Sequence, residues 1–212
     1  MAFKNSDGKP VLMKMVDAVQ KNKIYLSEVD GLIGDGDHGM NMNKGFTMFG
    51  NRISEKEITF TEGLEELGTL LFTEIGGSMG PIYGTIFTSM ADAARGLNLI
   101  DVREFATMFS AGLNDLHDIV EARVGDKTLV DVLTPVRDAL ILAESENKSL
   151  ASALKDMKEA AAKGRNSTIN LVAKYGRSSR LGERSRGALD AGAVSCCIIL
   201  SAMADGILEL IL

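Results

Sequence analysis

Four glycine-bearing polar breaks, near residues 34, 78, 126 and 182, cut a sequence that otherwise reads as helix from end to end. Apolar residues recur at helical spacing between the breaks, and no stretch alternates convincingly with the period of two expected of a half-buried strand. The spacing predicts helices over residues 10–29, about 41–52, 59–75, 82–95, 101–122, 129–143, 149–175 and 193–212. Local signals mark several starts. Pro10 suits a first turn with Asp7 upstream as its cap, and Thr59-Phe60-Thr61-Glu62 and Asp101-Val102-Arg103-Glu104 have capping-box spacing. Pro135 either kinks its helix or sits in its first turn. Successive breaks lie about two helices apart. In an up-and-down assembly alternate loops share an end, so the four breaks are expected to meet there. The expected fold is all-α, about eight helices in a single domain over residues 1–212.

Composition agrees. Aromatics make up 5% of the 212 residues, tryptophan is absent and there are three prolines, so the apolar volume comes from Leu, Ile, Val, Ala and eleven Met, favouring helices over a sheet sandwich. A net charge of −6 argues against a nucleic-acid partner, which would want a basic face. The longest apolar run, Ala191 to Ala204, is interrupted by Gly192, Ser195 and Ser201 and closed by Asp205, and reads as too short to span a membrane. The polar stretch Met1 to Lys9 lacks a signal-peptide core. Cys196 and Cys197 are adjacent on one helix and point in different directions, as reduced core residues of a cytoplasmic protein would.

The first break carries the densest chemistry. Asp30, Asp35 and Asp37 fall within eight residues, interleaved with glycines. At ~5 Å and an effective dielectric of ~20, each carboxylate pair costs roughly 3 kcal/mol. A sequence that accepts this has a cation to hold, and oxygen ligands point to Mg²⁺, with Ca²⁺ as the rival. Asp30 is expected at the C-terminal end of the first helix, where the dipole disfavours a carboxylate and a bound cation reverses the sign. Three carboxylates with one Mg²⁺ leave −1, which repels a nucleotide diphosphate; with two the site is +1 and attracts it. Tight Asp-Gly turns without a ligand are the bland alternative. Gly34-x-Gly36-x-x-Gly39 matches the dinucleotide pattern formally but follows no strand, an EF-hand loop fails at its fifth and sixth positions, and Lys44 is followed by Gly45 where a Walker motif needs Ser or Thr.

The other breaks are weaker individually. Gly76-Gly77-Ser78-Met79-Gly80 offers backbone amides and a hydroxyl to an anion, although a plain helix-to-helix turn explains it too. In Gly125-Asp126-Lys127-Thr128, Asp126 has the look of a cap for the next helix. Arg177, Arg180, Arg184 and Arg186 concentrate positive charge, either as a solvated loop or as forks for phosphate oxygens. His38 adjoins the acids and could donate to a phosphate or move a proton; His117 reads as an ordinary helix residue. Together the breaks supply carboxylates, glycine amides, a hydroxyl and arginines, the components of phosphoryl chemistry.

Ile33-Gly34-Asp35-Gly36-Asp37-His38-Gly39-x-Asn41-Met42, Gly76-Gly77-Ser78, Gly80-Pro81-x-x-Gly84-Thr85, Gly125-Asp126-Lys127-Thr128 and Gly176-Arg177-x-Ser179-x-Leu181-Gly182-Glu183-Arg184-Ser185 closely resemble, in order and over nearly the whole chain, the nucleotide-binding L subunits of bacterial dihydroxyacetone kinases. The resemblance implies a barrel of eight antiparallel helices with the nucleotide at one end. It implies that Asp30, Asp35 and Asp37 hold two Mg²⁺. ADP contacts are implied for His38, Gly39, Met40, Asn41, Ser78, Met79, Leu129, Arg177, Asp190, Ala191 and Gly192. Two departures stand out: the family commonly has an aromatic where this chain has Arg180, and proline where it has Ala191. Stand-alone members keep ADP as a cofactor, converted transiently to ATP by a phosphotransferase-system subunit (M), and the phosphoryl group passes to dihydroxyacetone on a K subunit. Fused kinases carry a substrate domain and use ATP; a chain closing at Leu212 is expected to follow the stand-alone mode. A homodimer is left open. The alternatives are an ATP-using kinase subunit for a related ketose such as erythrulose, and a nucleotide-sensing regulatory protein.

Overall fold

The structure, a computed structural model, describes residues 2–212. Eight helices follow one another: α1 (Lys9–Gly31), α2 (His38–Ile53), α3 (Phe60–Glu74), α4 (Met79–Ala93), α5 (Val102–Ile119), α6 (Val130–Ser145), α7 (Leu150–Ser167) and α8 (Ala191–Ile211). Each packs against the next, and α8 returns to α1, so the contacts close into a ring. Phe46, Phe49, Phe60, Phe87, Phe105 and Phe109 are fully buried, with Met15, Met42, Met90, Met108, Met157 and Met203 among them. These side chains make the ring a packed core rather than a pore.

Both predicted capping boxes form. Thr59 Oγ1 accepts from the Glu62 amide (3.3 Å) and the Thr59 amide donates to Glu62 Oε2 (2.9 Å); Asp101 and Glu104 repeat the pattern at α5. Asp7 does not cap α1. Its carboxylate is taken by the Ser6 hydroxyl, Gly8 stands at the cap without a side-chain bond, and Pro10 occupies the first turn as expected. The helices α2 and α4 begin three residues earlier than periodicity predicts; in α4, Pro81 is tolerated in the first turn, where amides have no intrahelical acceptor. Pro135 lies inside α6, at its sixth residue. The carbonyl of Asp131 that it frees is closely approached by Gly164 of α7: a Cβ there would meet that oxygen at 2.1 Å.

Three expectations need correcting. The helix predicted over 149–175 stops at Ser167, followed by a 3-10 turn at Thr168–Asn170. Thr168 is fully buried, and its carbonyl is held by Lys127. Among the described residues there are two strands, β1 (Phe3–Lys4) and β2 (Leu99–Ile100), paired antiparallel with Phe3 opposite Ile100, each too short to show alternation. At 21 residues and a mean hydropathy of 2.0, α8 is also long and apolar enough to cross a membrane, contrary to expectation. That apolarity is spent inside the ring, against α1, α6 and α7. Cys196 and Cys197 lie there, buried and unpaired, and burial pushes both thiols up.

Candidate functional site

The four breaks meet. Asp30, Ile33 to Asp35, Asp37 and His38, Ser78, Lys127 to Val130, and Tyr175 to Ser178 with Asp190 to Gly192 all line one cavity of about 440 Å³, within the range of small-molecule sites.

At one corner stand Asp30, Asp35 and Asp37, each offering an oxygen, with the three atoms within 4.8 Å of one another. Asp30 is the penultimate residue of α1, as expected. The chain then folds back over its carboxylate, and only glycine fits at position 34, where a Cβ would meet Asp30 Oδ1 at 2.4 Å. Gly36, at φ 76°, turns the chain through the left-handed region. Asp37 stands at the N-cap of α2, yet its carboxylate makes no capping bond. The amide of His38 reaches Asp30 Oδ2 at 3.4 Å. The guanidinium of Arg177 pairs with Asp35 and lies 4.0 Å from Asp37. An all-oxygen, anionic and partly exposed donor set fits a hard divalent cation such as Mg²⁺.

His38 is turned away from this corner. Its ring is buried, with Nε2 2.9 Å from Ser195 Oγ, which in turn lies 2.8 Å from the Tyr83 hydroxyl and 3.0 Å from the carbonyl of Gly192. Burial pulls the imidazole down to about 4, against the opposing charge of Asp30, so the ring is neutral at pH 7. Ser195 Oγ donates to the Gly192 carbonyl and has His38 Nε2 and the Tyr83 hydroxyl as its other hydrogen-bond partners. Neither Tyr83 nor Ser195 carried a signal in the sequence, since both sit within apolar helical runs.

The opposite corner is buried. Lys127 is wholly covered and has φ 62°, a conformation costing a non-glycine residue roughly 1–2 kcal/mol. Asp131 accepts from the amides of Gly125 (2.6 Å) and Thr128 (2.8 Å), shaping the turn before α6. Asp126, expected as a cap, instead accepts from the Arg123 amide and pairs with Lys174. Asp190 caps α8 through the amide of Ala193 at 2.7 Å. Its remaining surface opens into the cavity, and burial among protein atoms pushes its carboxyl up to about 7. Ile82, Leu116, Ile119, Val120, Leu129 and Val130 add an apolar wall to the lining, together with Tyr175.

Of the residues expected at the site, Asp30, Asp35, Asp37, His38, Ser78, Met79, Leu129, Arg177, Asp190, Ala191 and Gly192 line the cavity. Gly39, Met40 and Asn41 are not in its lining. Gly39 packs against α1, where a Cβ would meet the carbonyl of Lys23 at 2.0 Å, while Met40 is exposed. Arg177 alone among the clustered arginines reaches the cavity. Arg186 binds Glu183 and the Asn170 carbonyl, and Arg180 and Arg184 face solvent. His117 lies in the last turn of α5 with Nδ1 3.0 Å from Arg123.

Residues 32–205 match the DAK2 domain family. The chain is 35% identical over 196 residues to the ADP-binding subunit of the PEP-dependent dihydroxyacetone kinase of Escherichia coli, covering 91% of this chain and 92% of that protein. It is 36% identical over 188 residues to a Listeria innocua counterpart, covering 88% and 89%. A dihydroxyacetone kinase of C. freundii, solved in native form, superposes with a TM-score of 0.72 at 21% identity, over 96% of this chain and 35% of that one, so the chain spans about a third of that kinase. The same kinase is solved in complex with AMP-PNP and Mg²⁺, with a TM-score of 0.68 at 20% identity, over 94% of this chain and 33% of that one. The convergence of the four breaks and these likenesses agree: the chain belongs to the DAK2 domain family, among the L subunits of dihydroxyacetone kinases.

Proposed function

We propose that the protein is the cytoplasmic ADP-binding subunit of a phosphoenolpyruvate-dependent dihydroxyacetone kinase. A phosphoryl group from a phosphotransferase-system subunit is taken up on the bound ADP and handed to dihydroxyacetone held by a K subunit. The observation that carries this is the single cavity lined by both the carboxylate corner and an apolar wall. A base fits the wall of Leu116, Ile119, Val120 and Leu129. The N-termini of α4 and α8 turn free amides, at Ser78-Met79 and Ala191-Gly192, toward phosphate oxygens.

Asp30, Asp35 and Asp37 would hold Mg²⁺. Bound there, Mg²⁺ neutralises phosphate oxygens and the charge that develops on them during transfer. Arg177 adds one positive charge to this corner. With it counted, one divalent ion neutralises the three carboxylates and a second leaves the corner positive, which favours two ions for a diphosphate. No side chain here acts as a nucleophile; the residues position the diphosphate and exclude water. Matches over 92% and 89% of two ADP-binding subunits support the cofactor mode over free use of ATP.

The test is to denature the purified protein and assay the nucleotide released. About one ADP per chain is expected. An empty protein that turns over added ATP would overturn the cofactor mode.

A further inference from the structure

The nucleotide site proposed above takes Leu129 from the third break and leaves its buried lysine without a task. Lys127 is 0% exposed and its backbone sits at φ 62°. A lysine is costly to bury and a non-glycine residue costly to hold in the left-handed region, so both together call for a function. Its Nζ donates to the carbonyls of Thr168 and Ala188, each at 2.5 Å. Thr168 is where α7 gives way, and its Oγ1 accepts from the Asp190 amide at 3.1 Å. One ammonium therefore ties three segments: the turn before α6, the end of α7, and the approach to α8. Carboxylates of Asp131 and Asp190 offset the pull of burial on its charge, with Arg186 opposing them. Immediately after the tied residues 188–190, Ala191 and Gly192 open α8 onto the cavity.

We propose that Lys127 is a positioning residue for the nucleotide: it holds residues 188–190 in place so that the first amides of α8 face the cavity. It acts on the nucleotide side of the site and leaves the carboxylate corner alone. This rests on the reading of the cavity as an ADP site.

Lys127→Gly removes the amine while suiting the left-handed backbone, so the turn itself is not strained by the change. Thr168→Val removes the second tie to residue 190. ADP affinity with Mg²⁺ present is measured by calorimetry, and Mn²⁺ affinity without nucleotide by electron paramagnetic resonance. Lys127→Gly is expected to weaken ADP roughly tenfold or more while Mn²⁺ affinity stays within about twofold. Thr168→Val should weaken ADP less, and the double variant should fall short of the product of the two effects, since both ties hold one segment. ADP binding by Lys127→Gly within about twofold of wild type, or parallel loss of ADP and Mn²⁺, would overturn the proposal. Wild-type protein that binds no ADP in the same assay would overturn the reading of the cavity, and the proposal with it.

Discussion

The cavity has two charged corners built on opposite plans. Asp30, Asp35 and Asp37 are like charges, partly open to solvent, and among the described residues their one cationic partner is Arg177. Lys127, Asp131 and Asp190 are of mixed sign, largely enclosed, and each is committed to backbone groups. The first corner is left incomplete by the protein, so a ligand completes it. The second is already complete, so it shapes the site. Proximity of charges does not by itself mark a ligand site; what matters is whether the protein has already satisfied them.

The largest effect should come from the incomplete corner. Asp35→Asn or Asp37→Asn removes a unit charge close to a divalent ion, worth a few kcal/mol, and should weaken Mn²⁺ and ADP each by ~100-fold or more. Circular dichroism should show the helices intact, because neither carboxylate bonds to backbone. The enclosed corner should respond to pH instead. Asp190 has a raised carboxyl, near 7, so its contribution to stability is present at low pH and lost as pH rises from about 4 through 7. His38 is the reverse: its depressed ring contributes above about 6.5 and loses that as pH falls toward 4. In EDTA, denaturant melts of Asp190→Asn should lose about 2–4 kcal/mol relative to wild type between pH 7 and pH 4, and His38→Gln should gain about 2–3 kcal/mol over the same range.

Arg177 bridges the comparison, since it belongs to the fourth break yet pairs with the first. The pair is exposed, so its stability value is small, about 0.2–1 kcal/mol. Arg177→Gln should raise metal affinity without nucleotide about 2–5-fold and lower ADP affinity about tenfold or more, and calorimetry can read both signs. The smallest effect is expected of Ala191→Pro. Position 191 opens α8, where an amide has no intrahelical acceptor, so the melting free energy should move by no more than about 0.5 kcal/mol.

The incomplete corner was legible in the sequence because its signal is local: three acids and their glycines lie within eight residues. Helix count, capping boxes and the meeting of the breaks were legible for the same reason, through period and spacing. The complete corner was not. Lys127 looks like any surface lysine until Thr168 and Ala188, 41 and 61 residues away, close over it. Thr168 also ends α7 early, against the pattern of an Ala- and Lys-rich run, because its carbonyl and hydroxyl are needed by Lys127 and Asp190. The link from His38 through Ser195 to Tyr83 spans α2, α8 and α4 and has no sequence period. Arg177 could be placed near phosphate by resemblance, but its pairing with Asp35, which changes the charge count, appears only in three dimensions.

One measurement bears most directly on the claim that the exposed carboxylates and the cavity beside them form a metal-dependent ADP site. ADP affinity of nucleotide-stripped wild-type protein is determined by calorimetry with Mg²⁺ and again in EDTA. Binding with Mg²⁺ that weakens by ~100-fold or more in EDTA is the predicted result. ADP bound equally well under both conditions would contradict it.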